Sequence, residues 1–200
     1  MSNNIVGSDV SCIKSIGYGN TIINCIFVGN NIKIGNNNTI KNAVIADGSE
    51  ITDSYIEDCL IGKNCRIGPY SRIRGKTNIG DNCKIGNFVE IKNSELGSGV
   101  KASHLAYIGD AIIGDNTNIG CGVVFANYNG MVKSISVVGK NCFIGSNVNI
   151  IAPVKIKDYC YICAGTTITK DSQEGEFLIG RVRAESKKNY RYYLKNKLKR

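Results

Sequence analysis

The sequence predicts an all-β protein, a parallel β-helix of hexapeptide repeats, on three observations. Apolar residues recur every six positions, unbroken over Ile61, Ile67, Ile73, Ile79, Ile85 and Ile91 and again over Val138, Ile144, Ile150, Ile156, Ile162 and Ile168. Four positions after the first five anchors of each run stands a second inward type of modest size: Cys65, Ser71, Thr77, Cys83 and Val89 in the first run, and Cys142, Val148, Val154, Cys160 and Thr166 in the second. Gly or Asn usually follows the anchor, as at Gly62, Gly68, Gly80 and Gly86, where a tight corner or a close approach tolerates no side chain. A six-residue period fits neither an amphipathic helix nor one plain strand. It fits short parallel strands bent at corners, three hexads to a coil, which is the signature of a hexapeptide β-helix.

The elements follow in chain order. A short run at Val28, Ile34 and Ile40 opens the solenoid, and the two long runs form its body. Leu96, Ala102 and Ile108, then Ile113 and Ile119, join those runs with slips of about one residue. About nine coils fit between residues 5 and 170, each bonded to the coils about 4.8 Å above and below it, so stability accrues between neighbours. Gly62-Lys-Asn-Cys-Arg-Ile-Gly68 and Gly80-Asp-Asn-Cys-Lys-Ile-Gly86 lie eighteen residues apart, which stacks Cys65 over Cys83 and, by the same count, Cys142 over Cys160. The hexads break near 126–136, where Asn127-Tyr-Asn-Gly130 and Lys133 must leave the prism as an external loop. After Asp171 the repeat stops. The expected organisation is therefore a β-helix over 1–170 and a basic C-terminal arm over 171–200, with Tyr190, Tyr193, Leu194 and Leu198 spaced as a short amphipathic helix.

Composition narrows the function. With 200 residues, 42% hydrophobic and 20% charged, the chain is an ordinary folded domain and not a disordered one. No apolar run approaches the ~18 residues that cross a bilayer, and the first residues lack a signal-like apolar core, so a cytoplasmic protein with no membrane contact is expected. Nine cysteines, an odd number, with one histidine argue against both a disulfide framework and a His/Cys metal cage. The net charge of +9 suggests nucleic acid until it is located. Residues 181–200 hold nine Lys/Arg and one Glu, leaving sixteen basic against fifteen acidic residues in the other 180. The body is nearly neutral and carries no nucleic-acid-binding motif, so no nucleic-acid partner is expected.

Some residues could carry chemistry. Arg74 and Lys92 each follow an anchor and lie eighteen residues apart, so they stack on neighbouring coils, where like charges repel. Either an anion such as a phosphate sits between them or both are solvated surface charges. His104 is the one side chain ready to take a proton at neutral pH, although a lone histidine is more often structural or merely exposed. Cys160-Tyr-Ile-Cys163 is a lone C-x-x-C whose two cysteines already fill repeat positions, which favours packing over redox or zinc chemistry.

Five segments together carry a resemblance. Gly86-Asn-Phe-Val-Glu-Ile-Lys-Asn93, Lys101-Ala-Ser-His-Leu-Ala-Tyr-Ile-Gly-Asp110, Asn118-Ile-Gly-Cys-Gly122, Asn127-Tyr-Asn-Gly130 and Ala164-Gly-Thr-Thr167 closely resemble the hexapeptide-repeat acyltransferase family. The likeness is to the C-terminal acetyltransferase domain of the bifunctional uridyltransferase/acetyltransferase that makes UDP-N-acetylglucosamine. It runs from about Ile67 to Arg183; before residue 60 only the repeat is shared. The resemblance implies a left-handed β-helix, a homotrimer with sites between subunits, and acetyl transfer from acetyl-CoA to the amine of glucosamine 1-phosphate, a reaction that needs no metal. It assigns His104 as general base and the N–H of Cys121, where alanine is usual, as oxyanion donor. Arg74 and Lys92 match its phosphate pair, and Tyr107, Asn118 and Lys133 its sugar-phosphate contacts, with Glu90 orienting the site. Asn127, Tyr128, Ser146, Ala164 and Arg181 match acetyl-CoA positions. Asn129 departs from the family's loop aspartate, and no Gly-rich uridyltransferase loop occurs in the first sixty residues, so that second activity is expected to be absent. Two other readings remain open at this stage: acetyl transfer to a different amino-sugar phosphate or nucleotide-linked amino sugar, and a non-catalytic trimeric scaffold.

Overall fold

The structure, a computed structural model, describes residues 2–186. Those residues form a left-handed parallel β-helix of about ten turns and contain no helix. Strands of two or three residues, and two of nine, stack into three faces. The first face climbs from Ser15–Ile16 to Phe177–Leu178, the second from Asn4–Val6 to Thr167–Ile168, and the third from Ile26–Val28 to Lys155–Ile156. On the first face Ile51, Ile67, Ile85, Ala102, Ile119, Ile144 and Ile162 lie in one register column. Ile34, Ile51, Ile67, Ile73 and Ile85 are at most 2% exposed. Burying each is worth about 1.5–3 kcal/mol, and each has apolar neighbours above and below.

Coil length varies while the anchors do not move. Ile51 and Ile67 are sixteen residues apart, Ile67 and Ile85 eighteen, Ile85 and Ala102 seventeen, yet all pair in register. The slack is taken up at the corners. A side chain at Gly62 would place its Cβ 2.7 Å from the carbonyl carbon of Gly80 on the next coil, so that glycine answers close approach. The left-handed backbone falls two residues later, at Asn64 (φ 54°) and Asn82 (φ 59°). Asn tolerates that conformation, and its amide reaches along the edge, as from Asn42 Nδ2 to Asp58 Oδ1 at 3.0 Å.

Most polar groups inside the prism are paired coil to coil; among the described residues the buried Ser136 hydroxyl has no partner. Asn38 N–H donates to Asn20 Oδ1 (2.9 Å), Ser54 N–H to Asn38 Oδ1 (3.0 Å) and Ser71 N–H to Ser54 Oγ (3.2 Å). The cysteines stack as the spacing requires, each thiol donating to a carbonyl one coil on: Cys65 to Gly80 O and Cys83 to Gly97 O, both at 3.1 Å. All nine cysteines are free; seven are buried, Cys12 is half-buried and Cys121 is exposed. Burial pushes the Cys59 thiol up to about 12. Its stacked neighbour Cys65, together with burial, pushes the Cys83 thiol up as well.

One expectation is revised, and another falls outside the described residues. The ladder runs past Asp171: Phe177–Leu178 pairs in parallel with Tyr161–Ile162 and adds a rung, and Phe143, Tyr161 and Phe177 stack on its outer side with ring centroids 4.7 and 5.3 Å apart. The expected C-terminal helix rests on Tyr190, Tyr193, Leu194 and Leu198, which lie outside the described residues.

Ile73→Ala should cost about 2–5 kcal/mol in urea unfolding, whereas Asn78→Ala on the solvent side should stay within about 0.5 kcal/mol. A thiol reagent applied to the native protein at neutral pH should label Cys121 first, with the buried seven reacting only on unfolding; mass mapping that finds Cys65 or Cys83 among the first would contradict this packing.

Candidate active site

The corner between the first and second faces differs from every other in the prism. Here two strands, Lys84–Lys92 and Lys101–Gly109, run through the bend without interruption and pair along their length from Lys84↔Lys101 to Lys92↔Gly109. His104 stands on this shared bend, opposite Asn87, between turns at Phe88 (φ 58°) and Leu105 (φ 34°). His104 Nδ1 lies 3.1 Å from Asn87 Oδ1. In the tautomer for which that amide oxygen accepts, the proton is on Nδ1 and Nε2 carries the lone pair.

Register carries this edge upward. Ala102↔Ile119, Ile119↔Ile144 and Ile144↔Ile162 place Cys121, Ser146 and Ala164 successively above His104. The corner bonds agree: Gly122 N–H to Leu105 O (2.6 Å), Asn147 N–H to Cys121 O (2.8 Å) and Gly165 N–H to Ser146 O (2.8 Å). Arg181 reaches back to the same line, its Nη1 donating to Ala164 O at 3.0 Å. His104, Cys121, Ser146, Ala164 and Arg181 therefore occupy one edge, and three steps from His104 to Ala164 span about 14 Å. The N–H groups flanking Cys121 are engaged, Gly120 to Ile144 O and Gly122 to Leu105 O. That of Cys121 itself has no protein acceptor among the described residues.

Round the corner, the second face presents two outward columns, Arg72↔Glu90↔Tyr107 and Arg74↔Lys92↔Gly109. Arg74 and Lys92 stack as their spacing demands, and Glu90 relieves part of the repulsion. Arg74 donates from Nε (3.0 Å) and Nη2 (2.7 Å) to Glu90 Oε1. Both side chains are about one-third exposed (31% and 32%), so the pair is weak and open to competition by a stronger anion. The Tyr107 hydroxyl lies over Gly109, where a Cβ would come within 2.5 Å of it, so this glycine lets the ring lean toward the Lys92 column. A groove of about 470 Å³ lined by Phe88, Glu90, Leu105, Tyr107, Val124 and Asn147 lies between this patch and the His104 corner.

The external loop closes one side. Tyr128 and Lys133 form an antiparallel bridge, and the Tyr128 hydroxyl donates to Gly130 O at 2.6 Å. Asn129 Oδ1 accepts from Met131 N–H (3.0 Å) and Val132 N–H (2.9 Å); an aspartate oxygen would accept the same two bonds. Asn127 is buried and donates from Nδ2 to Asp110 Oδ2. Asp110 is a residue that sequence reasoning passed over. It is 6% exposed and also accepts from Asn93 Nδ2 at 2.6 Å. Burial works to raise its carboxyl, but the Asn93 and Asn127 amides and the Lys92 and Lys133 charges outweigh it and hold the group below the usual carboxylate range. Its only sequence signal was a position seventeen residues after Asn93 and seventeen before Asn127.

Asn118 stands apart. It lies on the first face between Lys101 and Phe143, so one chain does not bring it together with Arg74, Lys92 and Tyr107 on the second.

With this geometry in place, the likenesses can be read against it. Residues 58–93 and 135–170 match the bacterial transferase hexapeptide family (six repeats). The chain is 49% identical over 163 residues to the bifunctional protein GlmU of Clostridioides difficile, covering 82% of this chain and 36% of that protein. It is 42% identical over 183 residues to the protein of the same name from Clostridium novyi, covering 90% and 40%. It thus spans about two fifths of the length of these curated relatives. Only 141 residues lie from residue 60 onward, so both matches reach further back than the repeat-only likeness expected there. Among solved structures, LpxA from Acinetobacter baumannii superposes with a TM-score of 0.56 at 17% identity, covering 86% of this chain and 67% of that one. A UDP-N-acetylglucosamine acyltransferase superposes at 0.52 and 16% identity, covering 85% and 63%. At such identities these two share the fold. By its repeat, its solenoid and its relatives, the chain belongs to the bacterial hexapeptide-repeat transferase family.

Proposed function

We propose that the chain is an N-acetyltransferase that moves acetyl from acetyl-CoA to the 2-amino group of glucosamine 1-phosphate, giving N-acetylglucosamine 1-phosphate. The observation that carries this reading is the single edge on which the histidine, held through Nδ1 by Asn87, lies directly below a backbone N–H with no protein acceptor among the described residues. Acyl transfer to an amine asks for those two groups. The amine nitrogen attacks the thioester carbonyl and forms the C–N bond while His104 Nε2 takes its proton. The carbonyl oxygen becomes an oxyanion, and the Cys121 N–H donates to it. Collapse breaks the C–S bond, and the departing CoA thiolate takes the proton back from His104.

The flanking residues supply position. Arg74 and Lys92 hold the phosphate, which competes with Glu90 for the Arg74 guanidinium; Tyr107 and Lys133 face the sugar. Ser146, Ala164 and Arg181, continuing the same edge, hold acetyl-CoA; Asn127 and Tyr128, which follow the second-face strand Val124–Ala126 at a different corner, come to it from a neighbouring copy. Asn118 lies on another face, so the complete site takes that face from a neighbouring copy, and the working unit is a homotrimer with sites between subunits. The relatives named bifunctional protein GlmU support an acetyl transfer of this kind for the matched portion.

His104→Ala should lower kcat by about 100- to 10,000-fold while leaving the mass of the assembly unchanged. Full activity in a folded His104→Ala protein would remove the general base. Arg74→Ala should raise the KM for the phosphorylated acceptor about tenfold or more and leave that for acetyl-CoA nearly unchanged; equal use of unphosphorylated glucosamine by the unaltered protein would remove the phosphate role.

A further inference from the structure

We propose that Asp110 is a positioning residue of this site, tying the 127–135 excursion to the coil below so that Lys133 is held beside Lys92. The inference rests on the reading of those two lysines as anion-binding groups. Asp110 occupies a left-handed corner (φ 49°), a place that Asn42, Asp58 and Asn93 fill in other coils. Those residues make the ordinary edge ladder, as in the 3.0 Å bond from Asn42 to Asp58. Asp110 adds what the others lack. Its carboxylate accepts from Asn127, where the chain leaves the prism, and its carbonyl accepts from Ser136 N–H (3.2 Å), where the chain returns. Below, its N–H donates to Lys92 O (3.0 Å) and its carboxylate accepts from Asn93 (2.6 Å). One buried acid therefore joins both feet of the excursion to the strand that carries Lys92. The Asn127 carbonyl completes the fastening by accepting from Ser134 N–H at 2.8 Å, one residue from Lys133.

A purely electrostatic role would act in the opposite sense. Removing the carboxylate's charge leaves Lys92 and Lys133 more positive and would tighten phosphate binding, whereas loosening the excursion moves Lys133 away and weakens it. Asp110→Asn separates the two, since it keeps the size, removes the charge and confronts the donors of Asn93 and Asn127 with an amide that can satisfy only one of them.

The test is limited trypsin digestion of the full chain without substrate, with cleavage after Lys133 followed by mass, beside KM measurements. Asp58→Asn, at an equivalent corner far from the excursion, is the control. Asp110→Asn should speed cleavage after Lys133 by about 10- to 100-fold relative to both the unaltered protein and Asp58→Asn. It should raise the KM for glucosamine 1-phosphate about tenfold while that for acetyl-CoA changes less than about twofold. Unchanged cleavage, or faster cleavage at all sites alike, overturns the proposal, as does a lower KM for the phosphorylated acceptor. If Asp110→Asn does not fold, Asn127→Ala cuts the same bond from the loop side and is read by cleavage after Lys133 alone, since Asn127 is itself placed at acetyl-CoA. An acceptor wrongly assigned shows instead as absent turnover by the unaltered protein, and the cleavage pattern then decides the positioning role by itself.

Discussion

Each coil of this molecule can bury its isoleucine only by setting it over the isoleucine of the coil below. The peptide groups meet their partners in the same act. These two requirements coincide at one register, and a slip by a single residue would turn the inward column outward. The chain accordingly tolerates coils of sixteen, seventeen or eighteen residues and places every irregularity at a corner. Where the interruption is too large for a corner, between Ile119 and Ile144, the surplus leaves as a loop and the anchors close up beneath it.

The site is a consequence of that register. Residues far apart in sequence, His104, Cys121, Ser146 and Ala164, fall on one edge because each stands two places after an anchor. The stacked Arg74 and Lys92 arise in the same way, and their repulsion is tolerated because the isoleucine column offsets it many times over. Charge that a plain strand pair would avoid is thereby held in place, with Glu90 partly neutralising it through its ion pair with Arg74.

Most of this architecture is legible in the sequence because one repeat encodes it. The anchors, the inward cysteines, the external loop and the Arg74–Lys92 stack all follow from counting in sixes. What escapes is decided by side-chain reach or by an irregular coil. Glu90 meets Arg74 through the rotamers of two long side chains. Asp110 is indistinguishable in sequence from any Asn or Asp at a left-handed corner, and only its burial under the excursion sets it apart. The last rung escapes because Leu178 lies sixteen residues after Ile162, so the six-residue count from Ile168 arrives at Glu174 and stops. The roles proposed for His104 and Cys121 are not in the period at all; they rest on a specific likeness, with which their place on one edge is consistent.

The most direct test of this account is thiol release from acetyl-CoA, measured with glucosamine 1-phosphate beside glucosamine, glucosamine 6-phosphate and a UDP-linked amino sugar. An edge that joins a proton acceptor to an N–H donor, next to a phosphate-sized cluster of positive charge, predicts marked preference for glucosamine 1-phosphate. Turnover that prefers another amine would keep the transfer chemistry and contradict the acceptor. A folded protein that neither binds acetyl-CoA nor turns over any of the four would contradict the enzyme altogether and make the solenoid a scaffold.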